Sequence, residues 1–183
     1  MSTPKLLAVV GTKKSGKTTV VEHIISGLTR KGFRIGSIKH IHHPDFTIDS
    51  EGIDTWRHAK AGSRIVTTLS KNETVLIIED ELESTLPSAL NFMMSQGLDM
   101  IVIEGLHSFM GQRTDIFKVI TAHDSEDLKV RINNTAPPIV AISGVIADKA
   151  FRLPRNNVPV INAMTNSAKL IEKIENEVLR PKN

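Results

Sequence analysis

The sequence predicts an α/β protein built on a mainly parallel, twisted sheet with helices on both faces. Short apolar runs alternate with amphipathic segments along the 183 residues, which is the order of strands and helices in such sheets. The apolar runs are continuous, as expected for strands that are buried on both faces. Hydrophobic residues make up 40% of the chain and charged residues 23%, so a single globular domain over residues 1–183 is expected.

The first elements are a strand, a helix and a second strand. Residues 5–11 (KLLAVVG) form a short apolar run that predicts a buried strand. Apolar side chains then recur at helical spacing through residues 18–32, and Gly32 stands where a helix C-terminal cap belongs. Residues 33–41 (FRIGSIKHI) predict the second strand, which a polar loop at 42–54 follows.

The middle of the chain predicts a hairpin between two helices. A short helix is expected at residues 55–62 and a longer one at 86–97. Between them, residues 63–70 and 74–80 are rich in β-branched side chains and are joined by Lys-Asn-Glu. Such a short connection favours an antiparallel hairpin, which we expect at an edge of the sheet.

The last part of the chain returns to strands. We predict strands at residues 98–106, 115–121, 138–146 and 158–162, and a closing helix at 166–180. Because ligands bind at the carboxyl ends of the strands in open α/β sheets, the residues that follow each strand are the candidates for a site.

Composition excludes several classes of function. The chain has no cysteine, which rules out disulfides and thiolate metal sites. No apolar segment approaches the roughly 18 residues that cross a bilayer, so no membrane association is expected. The first residues lack the pattern of a secretory signal, which favours a cytoplasmic protein. The net charge is +3, but aromatic residues are only 4% and tyrosine is absent, which argues for a small anion over a nucleic acid as the ligand.

The strongest motif lies at residues 11–18 (GTKKSGKT), which fit the pattern G-x-x-x-x-G-K-[ST] between a predicted strand and helix. Backbone N–H groups of such a loop and the helix N-terminus surround phosphate oxygens. We expect Lys17 to reach the β and γ phosphates, Thr18 to coordinate Mg²⁺ and Thr19 to contact the α phosphate. The motif predicts nucleoside triphosphate binding in a three-layer P-loop NTPase fold. The loop residues assigned to the nucleotide are Gly11, Lys13, Lys14, Ser15, Gly16, Lys17, Thr18 and Thr19.

A carboxylate for the metal is expected at the end of another buried strand. Glu104 follows the apolar run MIVI and precedes a glycine, which is the position for a Mg²⁺ ligand. Asp49 and Asp54, in the loop after the second strand, are further candidates, although a solvated role explains them equally well. Asp99 begins the strand of Glu104 at its opposite end and should lie far from the site. We assign Glu104 and Asp49 to the metal and, with Lys17, to any hydrolysis.

A basic and histidine-rich cluster ends the second strand at residues 39–43 (KHIHH). One interpretation is a transition-metal site, although adjacent His42 and His43 point in different directions on an extended chain. A second is an ordinary basic surface. The third, which we favour, is an anion site formed by Lys39, His40, Arg57 and Lys60.

Together, these segments resemble the molybdopterin-guanine dinucleotide biosynthesis protein B (MobB) family. The resemblance rests on VGTKKSGKTT, IKHIHH, DSEGIDTWRHAKAG and IVIEGLH, and it spans most of the chain. It implies a P-loop protein, usually a homodimer, that binds GTP with Mg²⁺ and is a weak GTPase at most. It also implies a molybdopterin guanylyltransferase as partner, with molybdopterin or its guanine dinucleotide nearby.

Two features differ from the family or leave specificity open. His107 stands where the family commonly has lysine, and we expect Lys118 to supply positive charge near that loop. No N-K-x-D motif fixes guanine, so the choice of GTP over ATP rests on the resemblance. Asp148, which ends SGVIAD after a late strand, is our candidate for the guanine N1–H and 2-amino groups.

Three functions fit the sequence. The leading one is a GTP-binding helper with slow turnover, because no general base is evident beyond the residues above and chemistry would depend on positioning and charge. The second is a small-molecule P-loop kinase, with Asp49 or Asp54 as base and Arg57 as clamp. The third is a metallochaperone GTPase that uses His40, His42 and His43.

Overall fold

The computed structural model describes residues 3–43, 45–148 and 158–180. It forms two compact units, one from Met1–His40 with Met93–Asn183 and the other from Ile41–Phe92. Whether the whole chain acts as the one domain expected from the sequence stays a prediction.

The elements follow the predicted order with three additions. They are β1 (Lys5–Gly11), α1 (Lys17–Arg30), β2 (Ile35–Lys39), α2 (Asp54–Lys60), β3 (Ile65–Leu69), β4 (Thr74–Ile78), α3 (Leu82–Met94), β5 (Met100–Glu104), α4 (His107–Met110), β6 (Phe117–Thr121), α5 (Ser125–Asn133), β7 (Ile139–Ser143) and α6 (Ser167–Ile174). A 3₁₀ turn covers Val145–Asp148, and a π-helical turn at Glu175–Leu179 continues α6. The additions are α4, α5 and the 3₁₀ turn.

The first unit contains a five-stranded sheet in the order β2-β5-β1-β6-β7. Every neighbouring pair is parallel, which confirms the predicted sheet. In the centre, Leu7 and Val9 of β1 join α1 and α6 in one apolar cluster. The alternate side chains of the strands, such as Ala8 and Ile103, are buried on the opposite face, and α5 contacts β6. Both faces are therefore covered, as continuous apolar strands require.

The second unit contains the hairpin, which is antiparallel as predicted. Ile65 of β3 lies opposite Ile78 of β4, and Leu69 lies opposite Thr74. The expectation that the hairpin extends an edge of the main sheet is wrong, since β3 and β4 form a two-stranded sheet of their own. The strands show the physical reason: in β3 only Val66 is buried, whereas every residue of β5 is buried.

Most of the predicted strands are shorter in the structure, and the last two show the physical reason. The segment 158–162 makes only one parallel bridge, between Ile142 and Val160. Pro159 has no N–H to donate, and Asn162 accepts hydrogen bonds from the backbone N–H groups of Met164 and Thr165 at 2.7 and 3.1 Å, which turns the chain away. The strand predicted at 138–146 ends at Ser143, where the chain enters the 3₁₀ turn.

In the described part of the chain, no helix has the length and apolar character that crossing a lipid bilayer requires.

Candidate nucleotide-binding site

The phosphate loop joins β1 to α1 at the carboxyl end of the central strand. Its glycines are required by space and by backbone conformation. A Cβ on Gly11 would lie 2.2 Å from the carbonyl oxygen of Thr121, and Gly16, with a φ of +93°, would place one 3.1 Å from the Cα of Gly144. Lysines 13 and 14 are exposed on this loop, and Thr18 and Thr19 lie in the first turn of α1.

A buried serine holds the loop against the neighbouring strands. The hydroxyl of Ser15 donates to the carbonyl of Thr12 at 2.8 Å and lies 2.6 Å from the hydroxyl of Thr121, at the end of β6. The backbone N–H of Val145 donates to the carbonyl of Ser15 at 3.1 Å. Strand β6 and the turn after β7 therefore fix the path of the loop.

The ammonium group of Lys17 lies on the loop itself. It donates to the carbonyl oxygens of Gly11 at 3.0 Å and of Thr12 at 2.5 Å. Partial burial lowers the pKa of Lys17 below its ordinary value, while the negative charges of Glu104 and Asp127 oppose that shift. The lysine is thus held at the mouth of the loop, beside the backbone groups that would surround a phosphate.

Glu104 and Thr18 meet beside the loop, as the sequence predicts for two groups at strand ends. The hydroxyl of Thr18 donates to Oε1 of Glu104 at 2.7 Å. The residue Glu104 is 8% exposed and ends β5 in register with Val9 of β1. A hydroxyl and a carboxylate are the hard oxygen donors that Mg²⁺ takes, and it usually keeps waters and phosphate oxygens in its other positions. This donor pair fits a magnesium ion.

Lys39 and His40, from the end of β2, reach the same pair. The ammonium of Lys39 lies 3.6 Å from Oε1 of Glu104 and 3.5 Å from the hydroxyl of Thr18. The backbone N–H of His40 donates to the carbonyl of Glu104 at 3.1 Å. The predicted proximity of these residues to the phosphate loop is therefore present in the first unit.

A second carboxylate at the loop was missed by sequence reasoning. Asp127, in the first turn of α5, accepts from the hydroxyl of Thr12 at 2.8 Å and from the backbone N–H of His123 at 3.1 Å. The ring Nε2 of His123 lies 2.6 Å from the carbonyl of Lys13, and Arg131 pairs with Asp127 at 3.5 Å. These contacts tie α5 to the phosphate loop.

A usable signal for α5 was present in the sequence. Asp124 caps the helix by accepting from the N–H groups of Glu126 and Asp127 at 3.0 and 2.9 Å. An aspartate followed three residues later by a second acid is a helix-start pattern. The helix was nevertheless missed because the apolar periodicity of the segment is weak, and Leu128 is the only buried residue of the helix.

Asp148 lies at the end of the turn that begins next to the loop. Its carboxylate accepts from the side-chain amide of Asn162, which lies two residues after the bridge of Val160 with Ile142 of β7. Asn162 is a further polar group that sequence reasoning passed over. The turn starts at Val145, whose N–H is bonded to Ser15, so Asp148 belongs to the same end of the unit as the phosphate loop.

Lys118 was expected to supply positive charge near the loop that follows Glu104. That lysine is fully buried, and its ammonium donates to the carbonyls of Arg113 and Ala136. Its charge therefore stabilises backbone carbonyls before β6 and β7, and one of them, that of Arg113, lies in the loop after Glu104, as expected. His107 lies 3.0 Å from the hydroxyl of Thr135, and burial lowers its pKa, with the charge of Arg131 adding to the effect.

The remaining candidates lie in the second unit and are described there alone. Asp49 accepts from the hydroxyl of Thr55 at 2.7 Å, and Arg57 pairs with Asp54 at 3.4 Å. Their roles toward a nucleotide stay predictions. Among the described residues, no group of three or more histidine, aspartate or glutamate side chains is arranged to hold a metal ion.

This geometry can be set beside known proteins. Residues 6–142 match the family described as Molybdopterin guanine dinucleotide synthesis protein B. The chain belongs to the MobB family. The resemblance read from the sequence, and with it a place in molybdopterin guanine dinucleotide synthesis, is confirmed.

Two relatives of the MobB family illustrate the similarity. The molybdopterin-guanine dinucleotide biosynthesis adapter protein of Escherichia coli K12 is 32% identical over 127 residues, which cover 68% of this chain and 72% of the relative. The protein of the same name from Haemophilus influenzae is 36% identical over 104 residues, which cover 55% of this chain and 56% of the relative. The chain thus spans little more than half of the second relative.

Solved MobB structures share the fold. The crystal structure of Bacillus subtilis MobB has a TM-score of 0.68 at 22% identity, covering 92% of this chain and 97% of that one. A MobB homologue from Bacillus stearothermophilus has a TM-score of 0.67 at 21% identity, covering 93% and 97%. The predicted three-layer P-loop fold is confirmed.

Proposed function

We propose that this protein binds GTP with Mg²⁺ and acts as an adapter for a molybdopterin guanylyltransferase, the enzyme that joins GMP to molybdopterin. The observation that carries the proposal is the hydroxyl–carboxylate pair of Thr18 and Glu104 at the first turn of the helix that follows the phosphate loop. An anion-binding loop beside two hard oxygen donors is the arrangement that a magnesium nucleotide requires.

Each part of the nucleotide has a group to receive it. Backbone N–H groups of the loop and Lys17 bind the phosphates, and Thr18 and Glu104 hold Mg²⁺, with Asp49 as the further predicted ligand. When bound, Mg²⁺ neutralises charge on the phosphate oxygens. Lys39, His40 and Arg57 supply added positive charge toward the nucleotide, the pterin phosphate or the partner.

The base specificity is assigned to Asp148. A carboxylate there accepts hydrogen bonds from the N1–H and 2-amino groups of guanine, whereas adenine offers an acceptor at N1 and no amino group at C2. Asn162, which donates to Asp148, orients that carboxylate. The site therefore favours GTP over ATP.

Hydrolysis is expected to be slow. Lys17 and Asp127 are bonded to the loop itself, and Lys39 is paired with Glu104. These groups offer positioning and charge neutralisation. This suits a cytoplasmic protein that holds the nucleotide for another enzyme.

The proposal includes a homodimer formed through the hairpin. Ile65, Leu69, Leu76 and Ile78 are 54%, 76%, 49% and 37% exposed. The register of β3 and β4 puts all four on one face of the two-stranded sheet. An exposed apolar face of this kind marks an interaction site, and a second copy of the chain offers the same face in a two-fold arrangement.

Leu69→Glu with Leu76→Glu should then give monomers in sedimentation velocity, while dimers of that variant would contradict this interface.

The central experiment is calorimetric titration of the purified protein with GTP, GDP and ATP, with and without Mg²⁺. We expect GTP to bind in preference to ATP, and Lys17→Ala to abolish triphosphate binding while the thermal unfolding midpoint stays near that of the wild type. Unchanged GTP affinity in Lys17→Ala would overturn the assignment of the loop.

The adapter role is tested separately, by adding the protein to a guanylyltransferase reaction with molybdopterin. Faster formation of the guanine dinucleotide with the wild type, and no gain with Lys17→Ala, is the expected result. Rapid release of nucleoside diphosphate that depends on a small-molecule acceptor would instead favour the kinase.

A further inference from the structure

Lys39 occupies a defined place beside the metal-binding pair. It is the last residue of β2 and lies opposite Glu104 in the parallel register. The bond from the N–H of His40 to the carbonyl of Glu104 fixes the two strand ends next to each other. The backbone position of Lys39, from which its side chain extends, is therefore set by the sheet.

The ammonium of Lys39 is held by both oxygens that we assign to Mg²⁺. It lies 3.6 Å from Oε1 of Glu104 and 3.5 Å from the hydroxyl of Thr18, and those two oxygens are 2.7 Å apart. A single positive charge thus sits where a divalent cation would bind to the same pair.

The burial of the two partners differs. Only 11% of the Glu104 side chain is exposed, compared with 54% of the Lys39 side chain. A buried carboxylate needs a counter-charge, whereas an exposed lysine on its flexible stem can return to solvent at little cost. The contact is also longer than a close charged hydrogen bond. Lys39 is therefore a counter-ion that can be exchanged.

We propose that Lys39 is a tethered cation that competes with the divalent metal for Thr18 and Glu104. Because two cations repel each other at this separation, entry of the metal and departure of the lysine are one exchange. The identity of the metal as Mg²⁺ rests on the proposed function. Lys39 then sets how much free metal the site requires.

The exchange is tested with Mn²⁺ alone, which reports binding through its electron paramagnetic resonance signal. Lys39→Met removes the charge and keeps an unbranched side chain of similar reach. We expect it to raise the Mn²⁺ association constant about three- to fivefold, which corresponds to the loss of one partly exposed ion pair. Lys39→Arg keeps the charge and should behave like the wild type. Glu104→Gln should remove the gain when combined with Lys39→Met.

The matched control is Lys129→Met, which deletes a lysine paired with Glu126 on the exposed side of α5. It changes the net charge equally, and Mn²⁺ binding should stay at the wild-type level. An equal gain in both lysine variants would show a general charge effect and overturn the inference. So would no gain, weaker binding, or no detectable Mn²⁺ binding in Lys39→Met.

GTP titrations on the same proteins separate this inference from the proposed function. A wild-type protein that does not bind GTP removes the proposed function, while the Mn²⁺ comparison between variants still decides the role of Lys39. Normal GTP binding together with an unaltered Mn²⁺ titration in Lys39→Met overturns the exchange and leaves the proposed function standing.

Discussion

Removing the hydroxyl of Thr121 should loosen the phosphate loop, because that hydroxyl contacts the hydroxyl of Ser15. Thr121 is fully buried at the end of β6. Its hydroxyl lies 2.6 Å from that of Ser15 and 3.3 Å from the carbonyl of Val10. Since the single proton of Ser15 is donated to the carbonyl of Thr12, the proton of Thr121 is shared between the hydroxyl of Ser15 and the carbonyl of Val10. Thr121→Val keeps the shape of the side chain and deletes this donor.

The magnitude follows from one buried hydrogen bond. A neutral bond contributes about 1 kcal/mol, and a buried acceptor left without its partner costs about 1 kcal/mol more. We expect a loss of about 1–2 kcal/mol in the free energy of unfolding. If half of that is felt as disorder of the loop, the dissociation constant for GTP rises about two- to fivefold.

Urea unfolding followed by circular dichroism and calorimetric titration with GTP measure the two effects. The matched control is Ser143→Ala on the adjacent strand. Ser143 is equally buried, and its hydroxyl has no hydrogen-bond partner in the described structure, so its loss should leave GTP affinity unchanged. Equal effects of the two substitutions, or an unaltered GTP affinity in Thr121→Val, would refute the bracing role of Thr121.

Three further predictions concern the turn after β7, the loop after Glu104 and the base. Gly144→Ala would place a Cβ 2.2 Å from the backbone of the phosphate loop at a φ of +76°. It should lower the free energy of unfolding in urea by at least about 2 kcal/mol. The control Gly52→Ala, at a φ of +90° with open space around the Cβ, should lower it by only about 1 kcal/mol. The lowered pKa of His107 means that the unfolded chain takes up a proton first as pH falls through about 6.5. Stability should therefore drop as pH falls through about 6.5 and level off below the pKa of the folded state. His107→Asn should flatten that slope, and an unaltered slope contradicts the assignment. Asp148→Asn should weaken GTP binding at least about tenfold. The same variant should bind xanthosine triphosphate better, because the C2 carbonyl of xanthine accepts a hydrogen bond from the asparagine amide. GTP binding equal to that of the wild type would remove Asp148 from the base site.

The fold could be predicted because its strands carry a simple pattern. Strands β1 and β5 are continuous apolar runs, and burial on both faces requires that pattern. The hairpin was predicted as a pair of strands but not as a separate sheet. The alternation of side chains in β3 and β4 indicates that the two strands pair, but it does not specify whether the pair joins another sheet. Helix α5 was missed because a capping residue, Asp124, defines it more than an apolar stripe does.

Part of the candidate site could also be predicted from the sequence, and part of it could not. Thr18 and Glu104 could be predicted to meet because each follows a strand at the same edge of a parallel sheet. The contact of Thr12 with Asp127 joins residues 115 positions apart, and that of Ser15 with Thr121 joins residues 106 positions apart. No local pattern encodes such pairs, because they depend on the order β1-β6-β7 and on the packing of α5.

Lys17 and Lys39 help to explain why hydrolysis should be slow and why nucleotide binding should be reversible. Lys17 donates to two loop carbonyls, and Lys39 lies on Glu104 and Thr18. A magnesium triphosphate must replace these protein oxygens as partners of the lysines, so each new contact is gained at the expense of an existing one. The net free energy of binding is then smaller than the list of new contacts suggests. Under the proposed function, a site that exchanges partners in this way would hold its nucleotide loosely enough to respond to a second protein, as an adapter requires.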